Sequence, residues 1–238
     1  MLKAVLFDWG DTLMQFAYSP ELVAAGHRAG LAAIGRDGLP DVDRVTEHFR
    51  EEYEPLFWAP GTIEEIEYPQ LVRRLLADFG VGIDDEELGR YLEAEHVAWD
   101  PARILAANTH PLLEALRARG LRLGLVSNAF DPGWLLHRDL AQMGLDQRLD
   151  FSVFSSEVGM RKPHPAIFER ALEGLGVEPE RALFVGDRLY EDVRGAAEVG
   201  MITVQALWFR ADEHPDGAEP DHQAFTQLDV LNIAARLA

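Results

Sequence analysis

Apolar residues follow two different rhythms along this chain. Ala4-Val5-Leu6-Phe7 is an unbroken apolar run that ends in Asp8 and turns at once into Gly10-Asp11-Thr12. A short continuous run bounded by turn formers predicts a strand buried on both faces, here over residues 3–8. Residues 14–104 hold no comparable run. Their apolar positions recur at helical spacing, and Gly, Pro and Asp signals cut them into helices over about 19–35, 40–54, 65–79 and 84–98. Ser19-Pro20-Glu21 has the cap-then-proline form of a helix start. Leu71, Val72, Leu75, Leu76 and Phe79 share one helix face, and Asp84 to Glu87 gathers acids where a helix dipole favours them.

Strands return after residue 105. Predicted helices over 110–119, 132–143, 165–175 and 192–199 each stop at a glycine, and they alternate with short apolar strands over 122–126, 151–154, 182–185 and 201–205. The acidic, Pro- and Gly-containing stretch 209–222 predicts a surface loop, and 223–237 a last helix. The alternation implies an α/β fold with a doubly wound, mainly parallel, Rossmann-like sheet. The expected division is an α/β core from residues 1–13 and 105–238, interrupted by a helical block at 14–104. Placed directly after the first strand, that block is expected to act as a cap that shapes a pocket and excludes water.

Charge narrows the partners. The 41 acidic residues against 22 basic ones give a formal charge of -19, a surface that repels nucleic acid and acidic membrane faces. An anionic substrate then needs a metal or local positive charge. Lysine occurs only at Lys3 and Lys162, which draws attention to Lys162. With no cysteine, thiol nucleophiles and thiolate metal sites are excluded. No early apolar segment reads as a secretory signal and none approaches a bilayer span, so a cytoplasmic protein is expected. No heptad pattern chooses between monomer and homodimer.

Polar groups sit at four predicted strand ends or shortly beyond: Asp8, Ser127 with Asn128, Lys162 and Asp187. In a parallel sheet such ends are neighbours in space. Asp8 and Asp187 are suited to share a hard divalent cation such as Mg²⁺. Ser127 can donate to a phosphoryl oxygen, Lys162 can pair with phosphate and nucleophile, and an aspartate can attack phosphorus. Each residue alone has a plainer reading as turn former, helix cap or solvated lysine. Their joint placement favours a site, with Trp9 and Asn128 against the substrate and Asp11 and Thr12 behind it.

These residues resemble the motifs of the haloacid dehalogenase superfamily of hydrolases over nearly the whole chain. Asp8-Trp9-Gly10-Asp11-Thr12 is similar to the first motif, Ser127-Asn128-Ala129 to the second and Lys162-Pro163 to the third. Gly186-Asp187 through Asp192 is similar to the fourth. The resemblance implies that Asp8 is the nucleophile and that Ser127 and Lys162 orient the phosphate. It also implies that Asp8, the Gly10 carbonyl, Asp187 and Asp192 hold Mg²⁺, and that the substrate is a small phosphorylated metabolite.

One position departs from that pattern. Phosphatases of the family carry a second aspartate two residues after the nucleophile, which protonates the leaving group; here that residue is Gly10, with Asp11 one place later. Positioned proton transfer is worth ~10²–10⁴ in rate. Substrates with good leaving groups, such as acyl or aryl phosphates, remain open, as do Asp11 as a shifted replacement in a re-formed loop and a donor from the cap such as His27 or His48. His164 is expected to shape the lysine loop, and Trp208-Phe209 to line the mouth or pack. The resemblance also leaves two alternatives: a weakly catalytic or non-catalytic phosphate-binding protein, and a 2-haloacid dehalogenase. The dehalogenase would call on Arg28 or Arg36 and would lack a metal-binding aspartate like Asp187. A phosphonate-cleaving relative would need a cap lysine, and residues 14–104 contain none.

Overall fold

The structure is a computed structural model that describes residues 1–57, 61–209 and 218–237. In chain order the strands are β1 (Ala4–Phe7), β2 (Met14–Phe16), β3 (Arg103–Leu105), β4 (Arg122–Ser127), β5 (Phe151–Phe154), β6 (Ala182–Gly186), β7 (Ile202–Ala206) and β8 (His222–Ala224). The α-helices are α1 (Pro20–Ile34), α2 (Val42–His48), α3 (Glu54–Phe57), α4 (Tyr68–Ala77), α5 (Asp85–Ala98), α6 (Thr109–Arg117), α7 (Gly133–Gln142), α8 (Ser155–Val158), α9 (Pro165–Leu175), α10 (Gly195–Glu198) and α11 (Gln227–Leu237).

All four residues of β1 are fully buried, because the strand has a neighbour on each edge and a helical layer on each face. It pairs in parallel with β4 and β6, and the full sheet runs β5-β4-β1-β6-β7-β8, every pair parallel. The period of two then sorts the side chains. Val5 and Phe7 join α6 and α11 through Leu112, Leu116, Val230 and Ile233. Ala4 and Leu6 face α9 through Ile167, Phe168 and Ala171. Burying each large side chain stabilises the fold by roughly 1.5–3 kcal/mol. The sheet is therefore the doubly wound α/β arrangement that the alternation predicts.

Residues 20–98 form a helical block with its own apolar cluster, including Val23, Leu31, Phe49, Leu71, Leu75, Leu76 and Tyr91. The predicted Ser19 cap forms, and the acids expected to favour the α5 dipole also supply a cap. Ser19 accepts from Leu22 N–H, and Asp84 and Glu87 make a reciprocal capping box at the start of α5. Among the ties that join the block to the sheet side are three that involve backbone pairing or buried charge. The first is the antiparallel pair of β2 and β3 at its two ends. In the second, Arg161 N–H donates to Ile63 O (2.7 Å) and Glu65 N–H to Gly159 O (3.0 Å). The third is a buried ion cluster around His96 of α5, whose Nδ1 lies 3.0 Å from Asp131 and whose Nε2 lies 2.8 Å from Asp139 of α7. Arg103 reaches the same Asp139 at 3.1 Å.

Several elements differ from the sequence expectations. The helix expected over 40–54 is α2 followed by a π-helical turn at Phe49–Tyr53 and then α3. The helix expected over 192–199 starts earlier, as a π-helical turn at Leu189–Arg194 that runs into α10. Residues 222–224 are a strand, not the junction of a loop and a helix: β8 is an edge strand that buries only Ala224, so no apolar run announces it. β2 and β3 are half-exposed and three residues long each, too short to show a period. The expected loop at 209–222 falls largely on residues 210–217, outside the described residues. No described helix is long and apolar enough to cross a membrane.

Candidate active site

The carboxyl ends of β1, β4 and β6 meet at the point where the chain order reverses, which is where open α/β sheets gather ligand groups. Asp8 leaves β1 with its N–H on Val185 O of β6, at 2.9 Å. The chain then folds back tightly. Trp9 O accepts from the N–H groups of Thr12 (3.3 Å), Leu13 (2.9 Å) and Met14 (3.0 Å), and Asp11 takes a left-handed φ of 52° to make the turn. Asp tolerates that conformation better than most residues. Gly10 does not need to be glycine for space, since a Cβ there would meet nothing within 4 Å.

Lys162 reaches the same point from the loop before α9. Its Nζ is 2.7 Å from Asp8 Oδ1 and 2.6 Å from Asp192 Oδ1, and all three groups are buried. Asn128 holds the lysine's peptide from both sides: Lys162 N–H donates to Oδ1 (2.7 Å), and Nδ2 donates to Lys162 O (3.1 Å). The expectation that Asn128 faces substrate is thus amended. It lines the cavity, but both ends of its amide are committed to fixing Lys162. Asp192 sits on the π-helical turn, and its Oδ2 accepts from Arg188 N–H at 3.0 Å. This carboxylate lies directly on Gly186, where a Cβ would stand 2.4 Å from Asp192 Cγ.

Electrostatics follow from burial. Burial pushes the Asp8 carboxyl up to about 6, against the pull of Lys162 and with help from the like charge of Asp192. Lys162 loses some basicity to burial and gains more from Asp192 and Asp8, so its pKa is raised and it stays an ammonium. Asp8, Asp187 and Asp192 bring carboxylate oxygens within 4.8 Å of one another. Three buried hard-oxygen donors in that arrangement fit a divalent cation of the Mg²⁺ type.

Above these groups opens a cavity of about 500 Å³ lined by Asp8, Trp9, Gly10, Asp11, Ser127, Asn128, Lys162 and Asp192. Its far walls are aromatic side chains of the helical block together with Phe130. Of the other expected residues, Asp187 belongs to the carboxylate cluster. Thr12 is fully buried, outside the cavity wall, and its carbonyl accepts from Trp208 Nε1 at 2.9 Å. Trp208 therefore braces the loop that follows Asp8. Trp9 packs on Phe154 with ring centroids 5.7 Å apart and lines the cavity.

The histidines and arginines separate clearly. His27 lines the cavity, its Nδ1 2.7 Å from Tyr91 Oη. His48 is held by Asp78 at 2.8 Å near the surface, away from the cavity, which removes it as a donor. His164 accepts from Ala166 N–H at the start of α9 and shapes that loop, as expected. Arg36 pairs with Glu87 at 2.8 Å, and neither it nor Arg28 lines the cavity. Arg161, Arg188 and Glu191 do line it and were missed. Their signal was adjacency, since Arg161 precedes Lys162 and Arg188 follows Asp187.

Comparison with known proteins matches this arrangement. A family model described as haloacid dehalogenase-like hydrolase matches residues 2–200. The chain is similar to a glyceraldehyde 3-phosphate phosphatase of Methanopyrus kandleri, 30% identical, with 100% of this chain and 99% of that protein covered. A protein of the same name from Methanothermobacter thermautotrophicus is 36% identical, with 98% and 96% covered. Among solved structures, a 2-haloacid dehalogenase from Pseudomonas syringae superposes over 100% of both chains with a TM-score of 0.73 at 24% identity, a likeness of fold. A phosphatase of this superfamily from Thermococcus onnurineus superposes over 98% of both chains with a TM-score of 0.66 at 25% identity. The sheet, the strand-end carboxylates and these matches together establish that this chain belongs to the haloacid dehalogenase-like hydrolases.

Proposed function

We propose that the protein hydrolyses a small phosphomonoester through a phosphoryl-aspartate on Asp8, with Mg²⁺ held by Asp8, the Gly10 carbonyl, Asp187 and Asp192. The observation that carries this reading is the buried Lys162 ammonium set between Asp8 and Asp192, beside the third carboxylate. Lys162 keeps Asp8 oriented and offers positive charge to the phosphoryl group at the same point. Asp8 Oδ attacks phosphorus while the bond to the leaving oxygen breaks, and water then releases phosphate and restores the carboxylate. Ser127 at the end of β4 donates to a phosphoryl oxygen. Bound Mg²⁺ supplies charge neutralisation on those oxygens. Residues 14–104 act as the cap that covers the bound ester.

Relatives named glyceraldehyde 3-phosphate phosphatase place that triose phosphate among the esters to test. A second reading, a phosphate-binding protein with little turnover, draws its support from Gly10, where the proton donor is missing. The dehalogenase reading loses ground, because Arg28 and Arg36 lie away from the cavity and three carboxylates gather beside the attacked position.

The test is phosphate release by the purified protein with Mg²⁺ from an aryl phosphate, acetyl phosphate and glyceraldehyde 3-phosphate, run beside Asp8→Asn. Turnover that vanishes in Asp8→Asn is expected. Equal rates for the two proteins, or no release from any ester, would overturn the proposal.

A further inference from the structure

We infer that the cavity beyond Asp8 is a leaving-group site for a flat aromatic ring, so that the preferred ester is an aryl phosphate. This rests on the hydrolase reading above and names its substrate class. Two independent observations converge on it.

The first is the wall. Phe57 and Tyr68 of the helical block meet Phe130, which follows the second motif, at ring-centroid distances of 4.6 and 4.8 Å; Trp99 stands 6.5 Å from the same ring. All four line the cavity that holds Asp8. Their polar atoms are already used: Tyr68 Oη donates to Glu95 at 2.9 Å and Trp99 Nε1 to Leu22 O at 3.1 Å. What they offer a ligand is carbon and ring edge. Against these rings the hydroxyls of a triose would exchange water for carbon, while the cavity's other polar groups, His27, Arg161, Arg188 and Glu191, stand apart from the ring contacts. Arg103 and Asp131 also line the cavity, but they are engaged with His96, at 3.1 and 3.0 Å.

The second is Gly10. With no side-chain acid two residues after the nucleophile, and with His27 Nδ1 engaged by Tyr91 at 2.7 Å, the leaving oxygen on this reading departs carrying its electron pair and no proton. A phenol, with a pKa of about 10, tolerates this far better than an aliphatic alcohol, whose hydroxyl is nearly as weak an acid as water. In balance, the aryl O–P bond breaks as the Asp8 Oδ–P bond forms, giving phenolate. Water then breaks the Oδ–P bond, its oxygen and protons leaving with the phosphate, which passes a proton to phenolate through solvent. Acyl phosphates share the good leaving group but present no ring to the aromatic wall.

The test is calorimetric titration of the Asp8→Asn protein, with Mg²⁺, by 1-naphthyl phosphate, glyceraldehyde 3-phosphate and inorganic phosphate. We expect the naphthyl ester to bind at least ~10-fold more tightly than either other ligand, from the apolar area it buries. Phe57→Ala should weaken the naphthyl ester about tenfold more than it weakens phosphate. Equal affinities for all three ligands, or a Phe57→Ala effect that is the same for ester and phosphate, would overturn the inference. Wild-type kinetics keep the two readings apart. Tight naphthyl binding without turnover of any ester would sink the hydrolase reading and leave the ring site standing. Turnover of acetyl or triose phosphate with no preference for the ring would sink the ring site alone.

Discussion

The two sides of the cavity are built on different principles. The sheet side is polar, and its geometry comes from backbone pairing. Parallel strands bring Asp8, Ser127 and the Gly186-Asp187 turn to one edge, and hydrogen bonds between the Lys162 backbone and the Asn128 side-chain amide fix Lys162 above them. The helical side is apolar, and its geometry comes from side-chain packing among α3, α4, the end of α5 and Phe130. The difference teaches where specificity can vary. The sheet side tolerates little change, because each charge is buried and paired. The packed side can be resized ring by ring without disturbing the carboxylates.

Breaking the sheet side should have the largest effect. Lys162→Met removes the cation between two buried carboxylates, and phosphate release is expected to fall by ~10²–10³ or more. Thermal melting measured with and without Mg²⁺ should show the metal recovering part of the lost stability, because it faces the same charges. A variant as active as wild type would show that the ion pair is not part of the chemistry.

Gly10→Asp sharpens the comparison by supplying the missing proton donor where space is open. Release from an alkyl phosphate is expected to rise ~10–10²-fold, with a much smaller change for an aryl phosphate, so the ratio of the two rates is the quantity to measure. An unchanged ratio would mean that the loop aims this side chain away from the leaving oxygen.

The smallest effect concerns the tie between the two sides. Burial lowers the pKa of His96, but the hydrogen bonds to Asp131 and Asp139 outweigh it and the pKa is raised, even with Arg103 alongside. Asp100 and Arg138 complete the charged groups around Arg103 and Asp139. A histidine with a raised folded-state pKa contributes stability that is full below its unfolded value near 6.5 and is lost as pH rises through the folded value. The melting temperature should therefore fall as pH climbs above about 6.5, and His96→Gln should flatten that slope by a few degrees. Parallel slopes in the two proteins would show that His96 is neutral in the fold.

How much of this was legible in the sequence follows the same division. Ala4–Phe7, the glycine-stopped helices and the strand-end aspartates are local patterns, and the sheet side could be drawn from them. Asn128's role was hidden, because its partner lies 34 residues away and bonds through the backbone. The aromatic wall was hidden more deeply: Phe57, Tyr68, Trp99 and Phe130 come from separate segments, and only packing brings the rings together. The π-helical turn that delivers Asp192 leaves no periodic signature over six residues, and β8 owes its place to pairing with β7 through a single buried alanine.

Gly186 sets a limit on the future of this chain. Since the Asp192 carboxylate fills the space where a side chain would begin, position 186 admits an alphabet of one letter for as long as residue 192 keeps its place. In a saturation library selected for turnover, codon 186 should come back invariant while the codons of the aromatic wall drift. That frozen site beside a freely varying one would let descendants of this sequence change what they bind while keeping the machinery that acts on it.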